Sequence, residues 1–184
     1  MFEPSFSMPR LSASNRWISR SARRGLVIAL IAPGILHAGR TFAADVPPLA
    51  WFAGTWQCAG RFEPSGKPIE ARLQFDWNEA AHALVKRHDD RPPNVYHAQE
   101  VWGSGDSTGL TATIVDAYGG TRLFTSTGWT GESLVWTRAS GAKPVERFAY
   151  VRESEDRLRI DWATSRDGSV FTVGDTLSCD RQKR

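Results

Sequence analysis

Between Ile69 and Asn78 the side chains alternate without a break: Ile69, Ala71, Leu73, Phe75 and Trp77 are apolar, and Glu70, Arg72, Gln74, Asp76 and Asn78 are polar. A period of two over that length rules out a helix and demands a strand with one buried and one wet face. Leu158, Ile160 and Trp162 alternate with Arg157, Arg159 and Asp161 in the same way, and Leu134 and Trp136 repeat the pattern between Gly131 and Arg138. Turn chemistry separates these runs at Gly66-Lys67-Pro68, Arg91-Pro92-Pro93-Asn94, Gly103-Ser104-Gly105-Asp106 and Tyr118-Gly119-Gly120. It returns at Thr130-Gly131, Gly141-Ala142-Lys143-Pro144, Glu155-Asp156 and Asp167-Gly168. Roughly ten strands at that spacing predict an all-β fold, a single antiparallel up-and-down β-barrel. Helix is confined to one turn within Pro47 to Gly54, with Pro inside its start and Gly past its end, and a second short turn at Asn78 to His82.

The first 44 residues read as an address. Arg16 to Arg24 form a basic stretch, Gly25 to Ala38 an apolar run, and Thr41-Phe42-Ala43-Ala44 a small-residue site before Asp45. That order predicts a secretory signal over 1–44, cut after Ala43 or Ala44, and a barrel domain over 45–184. The apolar run falls short of the ~20 residues that span a bilayer, and Pro33-Gly34 interrupts it, so no membrane span is expected after cleavage. Arg23-Arg24 followed by Gly25-Leu26 leaves both Sec and twin-arginine export open, and Met8 is an alternative start. The expected location is periplasmic or secreted.

Charge follows the same division. Six arginines face a single acid up to Ala44, which leaves 17 basic and 19 acidic residues beyond it. A near-neutral domain lacks the basic face that phosphate neutralisation needs, so a nucleic-acid partner is excluded.

Cys58 and Cys179 lie in the first and last strands. In an exported protein such a pair predicts a disulfide, here one that ties the barrel's seam. If the two face each other across an antiparallel ladder, Trp56 lies opposite Arg181 on the same face, where a guanidinium over an indole is favourable.

Gly54-Thr55-Trp56, at the opening of the first strand, resembles the Gly-x-Trp signature of lipocalins and their calycin relatives. In that superfamily a basic residue near the barrel's end packs over the signature Trp, and Arg181 is the candidate. The stretch Leu49 to Cys58 also resembles secreted lipocalin-like bacterial proteins and, more distantly, nitrobindin. The resemblance implies a calycin-like cup with a cavity for a small apolar ligand. Nitrobindin holds haem through a His on a late strand, whereas His82, His88 and His97 all precede Thr121 here. No cofactor is therefore expected.

The alternating strands offer Trp56, Leu73, Phe75, Trp77, Trp136 and Trp162 as pocket walls, with Leu134, Leu158 and Ile160 beside them. Two strands are mixed on both faces: Val95 to Trp102, where His97 and Gln99 share one side, and Val145 to Arg152, where Arg147 opposes Phe148 and Tyr150. An inward His97, Gln99, Arg147 or Tyr150 would be either a satisfied core network or a ligand-orienting group. His82, His88, Asp89, Asp90 and His97 resemble metal ligands in type but not in spacing, and a charged hairpin is the expectation. No nucleophile elbow or phosphate loop is present. The leading expectation is a binding protein for a small apolar or amphipathic molecule, with no catalytic residue assigned. The alternatives are a barrel enzyme of isomerase or cyclase type using an inward His97, Arg147 or Tyr150, and an envelope interaction module with a filled barrel; His97 with Glu100 or Asp116 has the chemistry for acid–base work if the fold brings them together.

Overall fold

The computed structural model describes residues 49–105, 109–139, 141 and 143–183, so the expected signal over 1–44 lies outside the described residues. A 3-10 turn, Leu49–Phe52, precedes eleven strands. These are β1 (Gly54–Phe62), β2 (Pro68–Asn78), β3 (Ala83–Asp90), β4 (His97–Ser104), β5 (Leu110–Asp116), β6 (Thr121–Ser126), β7 (Trp129–Thr130), β8 (Ser133–Arg138), β9 (Val145–Arg152), β10 (Arg157–Ser165) and β11 (Thr172–Arg181). Each pairs antiparallel with its sequence neighbour, except that β6 passes over the two-residue β7 to pair with β8. β1 pairs with β11, and ten strands close into a barrel of calycin-like form. Among the described residues no helix is long and apolar enough to cross a membrane.

The seam has the register expected from the cysteines. Cys58 pairs with Cys179, the two are joined as a disulfide, and Trp56 pairs with Arg181. Gly54 stands at φ 126°, a conformation closed to most L-residues, and this lets the chain swing from the 3-10 turn straight into β1. The Trp56 indole then donates to the Phe52 carbonyl at 2.8 Å.

Arg181 fastens this corner. Its guanidinium lies 4.1 Å from the Trp56 ring centroid and donates to the carbonyls of Ala53 at 2.6 Å and Trp51 at 2.8 Å. The 3-10 turn is thereby held across one end of the barrel, where Phe52 is fully buried against Phe75, Trp102, Trp129 and Tyr150. Replacing Arg181 with Ala removes these charge-assisted bonds and the cation–π contact together. The expected loss is about 2–3 kcal/mol in urea unfolding, with a changed environment for Trp51 and Trp56 in fluorescence.

The closure between β6 and β8 rests on only two register pairs, Phe124↔Arg138 and Thr125↔Thr137. Side chains reinforce it: Glu146 of β9 accepts from Arg122 of β6 and from Arg138 of β8.

Candidate functional site

Alternation decides what enters the barrel. Trp77 pairs with Leu84, Phe75 with Lys86 and Leu73 with His88, so β3 turns Leu84, Lys86, His88 and Asp90 inward from the plugged end to the opposite one. Lys86 pairs with Glu100, and β4 accordingly sends Ala98, Glu100 and Trp102 inside. His97 and Gln99 therefore stand on the outer wall, where His97 bonds Asp89 rather than Glu100. Arg147 is likewise kept from the interior by Glu146, Phe148 and Tyr150 on alternate positions, and its guanidinium lies 3.9 Å from the Phe171 ring centroid. The inward candidates His97, Gln99 and Arg147 are corrected to outer positions for this one reason of parity. The same parity divides the possible metal ligands: His88 and Asp90 point in, Asp89 and His97 out, and His82 sits in the β2–β3 turn. Among the described residues no three such side chains gather as a metal site.

The interior is filled at one end and open at the other. Trp56, Leu73, Phe75, Leu134, Trp136 and Leu158 are all buried and form, with Phe52 and Trp102, a packed aromatic half beneath the 3-10 turn. Trp77 is half-buried against that core and donates to Glu79. A cavity of about 530 Å³ occupies the other half, with Tyr150, Ile160 and Trp162 in its wall. Its mouth is bounded by Pro93, Asn94 and Val95 of the β3–β4 connection and by Tyr118. Trp162 leans on Gly174, where a β-carbon would come within 2.4 Å of the indole, so the bare backbone of β11 is what makes room for this wall.

Several polar groups line the cavity. At its floor Lys86 and Glu100 are 2% and 4% exposed. The Lys86 ammonium donates to Glu100 at 2.6 Å and to the Tyr150 hydroxyl at 2.8 Å, while Trp102 donates to the second Glu100 oxygen at 2.7 Å. An ammonium only donates, so Tyr150 accepts here. The Tyr150 proton has no acceptor among the described residues, and burial, then Glu100, push its hydroxyl well above the ordinary range, so the proton stays. On one side Arg122 joins Asp116 and Glu146. Towards the mouth His88 Nε2 meets Asp90 at 2.9 Å, and burial pulls the imidazole pKa down despite that carboxylate.

Asp175 of β11 also lines the cavity and has no cationic partner among the described residues. Burial, then Asp90 and Asp161, push its carboxyl up to about 7. In the unfolded chain the group ionises near 3.9. Between those values the folded state keeps a proton that the unfolded state has lost, so stability declines as pH rises from about 4 to about 7. Discounted for partial solvent access, the ionised carboxylate costs roughly 1–3 kcal/mol. Asp175→Asn is expected to be more stable than the parent by that amount in mildly alkaline buffer and nearly equal to it near pH 4; urea titrations at the two pH values check this.

Lys86, Arg122, Glu146 and Asp175 carry no inward signal in the sequence, because charged residues in alternation ordinarily mark the wet face. The signal that finds Lys86 and Glu100 is the ladder itself, carried from the inward Trp77 through two hairpins. No known family model matches the chain and no curated protein matches it.

Proposed function

We propose that this chain is an exported binding protein that holds a small amphipathic molecule in the open half of its barrel. One observation carries the reading: a cavity of about 530 Å³ opens at one end of a barrel whose other end is plugged. Small-molecule sites are concave, mostly apolar and furnished with a few placed polar groups, and this volume falls in their usual range of about 300–1,000 Å³. The unused Tyr150 proton supplies one such group. The lipocalin-like Gly54-Thr55-Trp56 with Arg181 over its indole supports a cup-like role. The disulfide, together with the secretory pattern of 1–44, supports an oxidising compartment outside the cytoplasm.

Native mass spectrometry of the full chain, exported to a bacterial periplasm and purified without reductant, tests both parts. Extra mass that is lost on denaturation is expected, together with a polypeptide shortened to about residue 44 or 45 and two hydrogens lighter than its reduced form. Ile160→Trp, which fills the cavity, should abolish the extra mass while the barrel still folds. A full-length polypeptide in the periplasmic fraction would overturn export. A bare protein would favour a second reading, an interaction module using the outer row of Val85 and Val101, paired on β3 and β4, and Leu123 of β6 across Thr113 of β5, the three apolar residues being 39%, 51% and 47% exposed.

A further inference from the structure

The cavity's charges do not balance. Four carboxyl side chains line it, on Asp90, Glu100, Glu146 and Asp175, against one lysine and one arginine, Lys86 and Arg122. Lys86 is matched with Glu100, and Arg122 with Glu146. Asp90 meets only the His88 imidazole, and neither it nor Asp175 has a lysine or arginine partner among the described residues. Both face the open part of the cavity, β3 and β11 being separated there by β2 and β1. The aromatic side chains of Tyr96, Tyr118 and Trp162 line the same space. Carboxylates and aromatic rings together favour one kind of guest, an organic cation. The Tyr150 hydroxyl marks the same cavity independently, since it is 1% exposed and its proton has no acceptor among the described residues.

We propose that the cavity takes an amphipathic amine, its protonated nitrogen held by Asp175 and Asp90 and its apolar body lying inward against Ile160 and Leu177. This rests on the binding reading above and narrows it to a ligand class. The nitrogen supplies the counter-charge that the protein lacks at these two carboxylates. A fatty acid would instead bring a further carboxylate beside two that have no lysine or arginine partner among the described residues.

Three probes with the same chain separate the possibilities: decylamine, decanol and decanoate, each titrated below its micelle concentration into the full exported protein at neutral pH. Calorimetry and tryptophan fluorescence follow binding. Decylamine is expected to bind at least about tenfold more tightly than decanol, and decanoate more weakly than either. Asp175→Asn should reduce that preference about tenfold and leave decanol unchanged, and Asp90→Asn provides the same test on the facing wall. Equal binding of decylamine and decanol, a preference for decanoate, or a preference for decylamine that both variants keep would overturn the amine and leave the binding cavity standing. Uptake of none of the three would overturn the cavity reading itself, and the amine with it.

Discussion

Lys86→Met is expected to destabilise the barrel by about 3–5 kcal/mol, among the largest effects available to a single side chain here. The ammonium sits inside the barrel at 2.6 Å from Glu100, and both residues are almost wholly removed from solvent. Taking away the lysine leaves a carboxylate in low-dielectric surroundings with only the Trp102 N–H to offset its desolvation. The pair itself is a different matter. Replacing both partners removes the charge together with its counter-charge, so Lys86→Met with Glu100→Gln should recover most of the loss, the amide oxygen still accepting from Trp102. Urea unfolding of the parent, both single variants and the double variant forms a complete cycle. A coupling energy near zero would mean that the two groups are solvated independently, contrary to their burial.

Loss of the disulfide ranks beside it. Cys58 and Cys179 are 121 residues apart, so the bond withdraws much of the freedom of the unfolded chain. On the loop-entropy account that is worth about 5 kcal/mol, and measured values often fall lower. Cys58→Ala with Cys179→Ala should therefore lose about 3–5 kcal/mol in denaturant titration. The parent measured in reductant should fall to nearly the same midpoint. The two thiol positions are 1% and 0% exposed, so in native buffer a reductant should act only through opening of the barrel.

The parts of this architecture that could be read in advance are those fixed by local rules. Alternation over Ile69 to Asn78 and the turn residues beyond it locate the strands, and the antiparallel ladder converts one supposed bond, Cys58 to Cys179, into the pairing of Trp56 with Arg181. Pro47 to Gly54 contains the observed 3-10 turn. What stays hidden depends on which way a mixed strand faces. In β4 both faces carry polar and apolar groups, and only its partner β3 decides that Glu100, not Gln99, is inside. Arg147 is decided in the same way by Tyr150 and Phe148 on β9. Charged inner residues escape notice because their partners come from other strands: Lys86 of β3 meets Glu100 of β4 and, 64 positions along the chain, Tyr150 of β9. The extent of filling is equally non-local, since Trp56, Phe75 and Trp136 pack the closed half while Trp162 of β10 stands beside a void.

The 3-10 turn under Arg181 has a consequence for traffic through the barrel. With Phe52 and its aromatic neighbours filling that end, the cavity formed by the described residues opens at the other, beside Pro93, Asn94, Val95 and Tyr118. On the binding proposal a guest would enter and leave by that one mouth, and one longer than the open half would leave its remainder outside. Its arrival and departure would then pass the same few loop residues, while the filled end that anchors the fold would take no part in either.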